Sequence, residues 1–307
     1  VTDPQTNISV GKRARYRLLT EATKPGAGAQ VSANADMLED TNATLPIAPI
    51  GSGSDFSPFF DHLGIATLNI SFGGEADGSF GVYHSAYDTY EHVMRFMNPG
   101  MIYGKVAAQT VGHAVIRAAD AELPLQNPSD FGKRIERYVA QVKDLAMKQR
   151  KAAAAQQSLV AVDAFALSAD PTRPYGNPVR LSTVPPIDFA PLDQAVVKLN
   201  ASANAYETAL ASKGTSLTFA QREKLFAIMG SITQSLSSDR GLPGRPWYKN
   251  LIYAPGRYSG YGATTLPGVT EAIKEERWKD VPIYIALTGS ALSGYANRLD
   301  EATASMK

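Results

Sequence analysis

Histidines are the residues of this sequence best suited to general base catalysis or metal binding, and there are four of them. Three lie in predicted helical segments, where a packing or surface role is the common one: His62, His92 and His113. His84 differs because it lies between a glycine-rich loop and a predicted helix start. Sites in α/β folds gather at such loops, so His84 is a candidate metal ligand, general base or anion contact. A purely structural role is equally compatible with its position.

Residue types alone do not give a complete catalytic set. The sequence has no cysteine, which excludes disulfides, thiolate metal sites and cysteine nucleophiles. It also has no H-E-x-x-H, G-x-S-x-G, P-loop or G-x-G-x-x-G motif, and the serines of the GSGSD stretch lack the frame of a nucleophile elbow. One histidine cannot build a zinc site, because zinc takes three or four protein ligands.

The composition is that of a globular protein with a sizeable core, since 44% of the residues are apolar and 19% are charged. The 30 Lys and Arg residues balance the 29 Asp and Glu residues, so the net charge of +1 suggests neither nucleic acid nor an anionic membrane as a partner. No apolar run approaches the roughly 18 residues needed to span a bilayer. The length of 307 residues predicts about two domains.

Residues 45–126 have the pattern of an α/β unit. Asp55 is a predicted helix cap, and Gly64 is predicted to end the short helix that follows. The β-branched, mostly apolar run over residues 65–72 predicts a strand in a largely buried sheet. An Ala-rich apolar helix is predicted over residues 101–119, packed on that sheet.

The helix expected to position His84 is predicted from a capping box. Ser85 and Asp88 have the S-x-x-D spacing, in which the first side chain caps the helix and the acid three residues later reaches back. A helix is therefore expected to begin directly after His84. This places His84 in a strand-to-helix loop.

From residue 127 onward the pattern is helical. Apolar residues recur with the 3.6-residue period in four segments, of which the third opens with a capping box formed by Thr218 and Gln221 and the last spans residues 283–299. Two stretches rich in proline or glycine are predicted as connections: residues 168–191 and 241–268. The pattern indicates a helical bundle with one long irregular insertion. The predicted domains are residues 1–126 and 127–307.

Three segments, in the same order and at similar spacing, resemble the glutamate carboxypeptidase II and transferrin receptor family. They are GSGSDFSPFFDHLGIA at residues 51–66, VYHSAYDTYEHVMRFMNPG at residues 82–100 and RPWYKNLIYAPGRYSGYGATTLPG at residues 245–268. The YHSAYDTYE stretch is the most specific of them. The resemblance implies a fold in two parts: an α/β remnant of a zinc-peptidase domain, then a mainly α-helical transferrin-receptor-like dimerisation domain.

The resemblance also implies a chemistry. Active members of the family are two-zinc peptidases that remove a C-terminal residue from a small peptide. The match to the YHS stretch implies that His84 is the last of five metal ligands in chain order. The other ligands and the glutamate general base are implied to lie N-terminal to residue 1, so no catalytic residue is expected in this sequence. The chain alone is therefore expected to be inactive, as the C-terminal portion of a carboxypeptidase or dipeptidase.

The resemblance further implies substrate contacts. Tyr83 and Tyr261 match family tyrosines whose hydroxyls contact the terminal carboxylate of the substrate, and Gly53 and Ser54 match a substrate-binding loop. Three positions at which glutamate-specific relatives carry cations differ in this sequence: Asn69, Ser71 and Gly260. A pocket without these cations lacks the charge-assisted bonds that would hold an acidic side chain. A strong preference for C-terminal glutamate is therefore not expected.

Partners follow from the same resemblance. A homodimer is expected through the helical domain, and an exposed apolar face on residues 283–299 would suit it. The expected substrate is a small peptide, with two zinc ions in a complete active site and no nucleic acid. Family analogy points to the periplasm, the extracellular space or a membrane anchor, but the sequence itself assigns no compartment. An alternative is a non-catalytic transferrin-receptor-like binding and dimerisation protein that has lost its metal ligands.

Overall fold

The computed structural model describes residues 1–24, 45, 47–73, 82–176, 178–258 and 260–307. The chain forms two compact units that alternate along the sequence. The first comprises Val1–Ala48 and Asn69–Ala121, and the second comprises Pro49–Leu68 and Glu122–Lys307. Residues 49–68 thus belong to the same unit as the helical second half. The predicted division into domains at residues 126 and 127 stays a prediction.

Two helices are the longest among the described residues of the first unit. Helix α1 (Val10–Ala22) begins at Ser9, whose hydroxyl accepts a hydrogen bond from the Lys12 amide. Helix α2 (Ile102–Ala119) confirms the helix predicted over residues 101–119. Its packing on a sheet is not observed, since the described residues of this unit form no sheet. Apolar side chains of α2 are accordingly exposed, including Val115 and Ile116.

A buried aspartate ties the N-terminal residues to helices α1 and α2. Arg13 Nη1 donates to Asp3 Oδ2 over 2.7 Å and to the Tyr103 hydroxyl oxygen over 2.9 Å. The Tyr103 hydroxyl in turn donates to Asp3 Oδ2, and Thr6 donates to Asp3 Oδ1. Burial opposes ionisation of Asp3, but these hydrogen bonds outweigh it and hold the pKa of the carboxyl well below its usual range. The network therefore favours a charged Asp3.

The strand predicted over residues 65–72 is not formed, so the α/β part of the predicted fold is not observed in the described residues. Residues 64–73 carry no ladder hydrogen bonds, and Ile65 and Leu68 are exposed. The physical reason is that β-propensity reflects packing against neighbouring strands more than an intrinsic backbone preference. No described segment pairs with this one.

The helix predicted to begin directly after His84 begins six residues later, so that prediction was wrong. Thr89 is the observed cap: its hydroxyl oxygen accepts a hydrogen bond from the His92 amide at the start of the one-turn helix Tyr90–His92. Ser85 instead closes a turn, because its hydroxyl donates to the Val82 carbonyl oxygen over 2.7 Å. The two hydroxyl residues offered competing caps, and the later one is used.

The short helix near residue 60 is a π-helical turn, Pro58–His62. The predicted cap at Asp55 was wrong, since the residue before the turn is Ser57 and no side chain caps it. Proline suits the first helical position because its missing N–H would have no partner there. Gly64, with φ +66°, ends the turn as predicted.

Five longer helices form the core of the second unit: α3 (Pro128–Ala161), α4 (Ala190–Lys213), α5 (Phe219–Ser231), α6 (Pro267–Lys274) and α7 (Asp280–Ser305). The predicted capping box of α5 is confirmed, since Thr218 and Gln221 each accept a hydrogen bond from the other's backbone amide. The mainly helical character predicted for this half is confirmed. No helix among the described residues combines the length and apolarity needed to cross a membrane.

Helix α7 is the centre of this unit, because α4, α5 and α6 all pack against it. Its buried apolar side chains run along its whole length and include Tyr284, Ile285, Leu292, Tyr295 and Leu299. The prediction of an exposed apolar face on residues 283–299 was therefore wrong. The apolar side chains face the molecule's own core, since α7 has neighbours on several sides. The residues left exposed on α7 are small or polar and include Ala286, Ser290 and Asn297.

Candidate functional site

A two-stranded hairpin carries Tyr261. Strands β1 (Tyr253–Pro255) and β2 (Ala263–Thr265) are antiparallel, with Ala254 opposite Thr264. The Gly256 amide donates to the Gly262 carbonyl oxygen over 2.8 Å and closes the loop between them. The composition of residues 241–268 predicted only a connection here. The signal for a hairpin was two short runs of strand-forming residues on either side of a glycine-containing loop.

A buried ion pair fixes the hairpin to helix α6. Arg245 Nη2 donates to Glu271 Oε1 over 2.5 Å, and the side chains are only 15% and 6% exposed. Arg245 Nη1 also donates to the carbonyl oxygen of Pro255 at the end of β1, over 2.6 Å. The Arg257 amide, in the hairpin loop, donates to the same Glu271 oxygen over 3.1 Å. The end of β1 and the start of the hairpin loop are therefore held by one carboxylate and its partner.

Residues 51–53 lie directly against Tyr261. The Ser52 amide donates to the Tyr261 carbonyl oxygen over 3.2 Å. A Cβ atom at Gly51 would lie 2.2 Å from that same oxygen, and one at Gly53, whose φ is +97°, would lie 2.5 Å from the Tyr261 ring. Only glycine fits at either position. We call this arrangement of Gly51, Ser52, Gly53 and Tyr261 the loop–tyrosine contact.

The loop–tyrosine contact continues into an anchor segment, residues 51–64, which is fastened to the helical part of the same unit. The Lys249 amide donates to the Asp61 carbonyl oxygen over 2.8 Å. Three residues later, the Thr233 hydroxyl donates to the Gly64 carbonyl oxygen over 2.7 Å. The anchor segment is thus bonded through its backbone at its far end as well as at Tyr261.

Aromatic packing adds to the fastening of the anchor segment. The His62 ring stacks on Trp247 with 5.1 Å between ring centroids, and His62 Nδ1 lies 2.8 Å from the Trp247 carbonyl oxygen. Phe60 stacks on Tyr253 at 5.8 Å. These contacts account for His62, which the sequence analysis gave a packing role.

Asp61 is a feature of the anchor segment that the sequence analysis missed. Its side chain is fully buried, and neither carboxylate oxygen has a hydrogen-bond partner among the described residues. Burial raises the pKa of Asp61 to about 6, against the smaller opposing effects of the Ser57 hydroxyl and the Arg245 charge. The available signal was a single acid within the apolar run FFDHLG.

Tyr83 and His84 lie together in the first unit. They occupy a turn in which His84 has φ +59°, and their rings stack with 3.8 Å between centroids. Both side chains are exposed. The structure therefore brings Tyr83 to His84 and, in the second unit, Gly53 to Tyr261. Ser54 is an exposed turn residue whose carbonyl oxygen accepts a hydrogen bond from the Ser57 amide.

The described residues do not fit the pair of zinc ions that the resemblance implies. No three His, Asp or Glu side chains of the described chain come together as a metal site requires. His84 offers one imidazole, which stacks on a tyrosine ring and carries no negative charge. Two zinc ions need several ligands, some of them anionic, to offset their charge. His84 can fill one coordination position at most.

The helical second half of the chain is similar to a known family of domains. Residues 187–300, which run from just before α4 into α7, match the model of the transferrin receptor-like dimerisation domain. The chain is 28% identical over 230 residues to a probable glutamate carboxypeptidase of Arthroderma benhamiae. It is 23% identical over 303 residues to the aminopeptidase NAALADL1 of Rattus norvegicus. These similarities support the transferrin receptor-like and glutamate carboxypeptidase family that the sequence resembles.

The two alignments cover different shares of the proteins. The first covers 74% of this chain and 27% of the relative, and the second covers 92% and 36%. A probable glutamate carboxypeptidase of Arabidopsis thaliana is 26% identical over 223 residues, which are 73% of this chain and 26% of the relative. The chain thus spans between 26% and 36% of the length of these curated relatives.

We expect Gly53→Ala to lower the free energy of unfolding by about 2 kcal/mol. The added methyl group has to enter the space of the Tyr261 ring, and the backbone has a φ that alanine rarely adopts. Urea unfolding followed by tryptophan fluorescence measures the change, because Trp247 packs on the anchor segment.

The matched control is Gly230→Ala in α5, where a Cβ atom meets nothing within 4 Å. Alanine suits a helix interior better than glycine, so this variant should gain roughly 0.5–1 kcal/mol. Equal effects of the two substitutions would contradict a tight loop–tyrosine contact.

Proposed function

We propose that this chain is part of a zinc-dependent peptidase that removes the C-terminal residue of small peptides. In this proposal it carries the dimerisation domain and part of the substrate-binding surface. Relatives named carboxypeptidase and aminopeptidase support a peptidase. The observation that carries the proposal for the peptide's carboxyl end is the loop–tyrosine contact, in which two segments about 200 residues apart in sequence meet.

The loop–tyrosine contact has the chemistry to receive a peptide carboxylate. Tyr261 is 57% exposed, so its hydroxyl is accessible while its ring is supported by Gly53. A phenolic hydroxyl donates a hydrogen bond readily to a carboxylate, and such charge-assisted bonds are stronger than neutral ones. The paired strands and the hydrogen bond from Gly256 to Gly262 close the loop that carries this tyrosine. Tyr83 is the second proposed carboxylate contact.

Selectivity for the side chain of the removed residue is proposed to be neutral. Gly260 precedes Tyr261, and the space around its Cβ position is open to 4 Å. No cation is therefore supplied by this position to pair with an acidic side chain. Asn69 and Ser71 are likewise uncharged. A C-terminal glutamate should gain little over a neutral residue.

We expect a peptide with a free C-terminal carboxylate to shift the NMR signals of Tyr261 and Gly53 on titration, and the same peptide with a C-terminal amide to leave them in place. The carboxylate accepts the tyrosine hydroxyl's hydrogen bond with its full charge, whereas the amide does not. Tyr261→Phe should weaken the response at least several-fold. Peptides ending in glutamate and leucine should respond alike.

Tyr258→Phe is the control variant, because Tyr258 lies in the same loop and is 81% exposed. It should leave the titration unchanged. Equal responses to the carboxylate and the amide would refute the carboxylate site, and a response confined to the glutamate peptide would refute neutral selectivity.

His84 is the proposed zinc ligand of this chain, with the remaining ligands and the general base supplied by polypeptide other than the residues described. A second candidate, a non-catalytic binding and dimerisation protein, is favoured by one observation: the described residues bring no three metal-ligating side chains together. The two proposed functions differ in whether the complete protein holds zinc.

We expect elemental analysis of the purified chain to find less than one zinc ion per chain, with no hydrolysis of a small peptide. A lone imidazole binds zinc weakly. If His84 is a zinc ligand, His84→Ala should lower the residual zinc more than His113→Ala, which controls for weak binding by any exposed histidine. Two tightly held zinc ions per chain would contradict an incomplete ligand set. In the complete protein, two zinc ions support the peptidase and none supports the alternative.

A homodimer is proposed through the outer face of α4 and α7. Several exposed residues there are small and uncharged, although Lys198 is charged; it donates to Asn297 on α7, so the exposed sides of the two helices adjoin at that point. Cores of interfaces are depleted of charged residues. We call this surface the small-residue face: Val197, Ala201, Ala205, Ala286 and Ser290.

We expect sedimentation velocity at micromolar concentration to show a dimer for the natural chain and a monomer for Ala201→Arg. A long cation in the middle of the small-residue face would hold two copies apart and would lose its water on association. Ala220→Arg, at an exposed alanine of α5, is the matched control and should remain dimeric. A dimeric Ala201→Arg protein would rule out this face, and a monomeric natural chain would rule out the dimer.

A further inference from the structure

The buried carboxyl group of Asp61 lies at the point where the anchor segment is fastened. Its side chain has no exposed surface, and its two oxygens have no hydrogen-bond partner among the described residues. The Ser57 hydroxyl, four residues earlier, is also buried and without a partner in that part of the chain. The backbone carbonyl oxygen of Asp61, by contrast, accepts hydrogen bonds from the Lys249 and Asn250 amides.

An ionised carboxylate is costly in such a place. Removing a charge from water without hydrogen bonds or an ion pair is far more expensive than burying the neutral acid. The protonated carboxyl group avoids this cost because it is uncharged. A carboxyl group with no exposed surface and no ion pair therefore suits the neutral form of Asp61, and the Ser57 hydroxyl opposes this only in part.

The charged and titratable groups around Asp61 do not compensate for its ionisation. Arg245 acts on it from the loop before β1, but the Arg245 guanidinium is bonded to Glu271 and to Pro255. Lys249 directs its side chain to Asp239. The imidazole of His62, on the same turn, contacts the Trp247 carbonyl oxygen. The charged and titratable side chains near Asp61 are thus engaged with other partners: Arg245, Glu271, Lys249, Asp239 and His62.

We propose that Asp61 is a positioning residue that seats the anchor segment in its protonated form, and that its ionisation loosens the segment and with it the loop–tyrosine contact. Ionisation draws the carboxylate toward water, and the backbone bond from Lys249 has to yield. The strain passes along the anchor segment to Gly53 and Tyr261. The consequence for peptide binding rests on the proposed function, whereas the effect of Asp61 on the anchor segment does not depend on it. Carboxylate binding should be stronger in mild acid than at neutral pH.

Tryptophan fluorescence tests the seating without any ligand. The chain has two tryptophans, so a Trp278→Phe background leaves Trp247, which stacks on His62 beside Asp61, as the reporter. Between pH 4.5 and 8 we expect a transition with a midpoint near the Asp61 pKa of about 6. Asp61→Asn, which stays neutral, should abolish the transition. His62→Gln should keep it, which separates Asp61 from the histidine that contacts the reporter.

Hydrogen exchange tests the link to the loop–tyrosine contact. After correction for intrinsic rates, protection of the Ser52 amide should fall at least tenfold from pH 5 to pH 7.5 in the natural chain and stay constant in Asp61→Asn. Ser57→Ala is a second variant should Asp61→Asn fail to fold. It removes a hydroxyl that lowers the Asp61 pKa, so the fluorescence midpoint should move upward.

Three results would overturn the proposal: a flat fluorescence profile in the natural chain, a transition that survives Asp61→Asn, or one that disappears in His62→Gln. Constant protection of the Ser52 amide across this pH range would break the link to Tyr261. None of these measurements contains a peptide, so their failure leaves the carboxylate titration standing. A failed titration with an intact pH transition would instead refute only the proposed function.

Discussion

The ion pair between Arg245 and Glu271 is the interaction on which the candidate surface depends. One carboxylate on α6 holds a guanidinium and the Arg257 amide, while that guanidinium also holds the end of β1 at Pro255. Buried pairs of this kind add little net stability, because both charges lose their water. In this protein the ion pair instead fixes the orientation of the hairpin on the bundle, and Tyr261 has a defined place because of it.

The surface at Tyr261 is assembled from two parts, a short hairpin and a glycine-containing loop, that would not be stable in isolation. The hairpin has three residues in each strand, and the loop that meets it contains two glycines. Isolated hairpins of this size are at best marginally stable in water. Each part is held by the helical unit, the hairpin through Glu271 and the anchor segment through the backbone around Asp61. The loop–tyrosine contact therefore reports on how well both are fastened.

Local signals in the sequence predicted most helices, because a capping box such as that of Thr218 and the apolar period beside it act within a few residues. Features that depend on distant partners were missed. The strand over residues 65–72 has the right composition but no ladder partner among the described residues. His84 was identified as a candidate from its position in the sequence, whereas Tyr261 was identified as a substrate contact only from the family resemblance. The burial of Asp61 results from packing across about 190 residues, which no local pattern encodes.

The position of α7 at the centre of the bundle has a consequence for how the chain acquires its structure. During synthesis α4, α5 and α6 leave the ribosome before α7, yet all three pack against it. Contacts of such long sequence separation close slowly, and the apolar faces stay uncovered in the meantime. The nascent chain is thus exposed to aggregation until residue 299 has emerged, and a chaperone that shields helical hairpins would matter most in that interval.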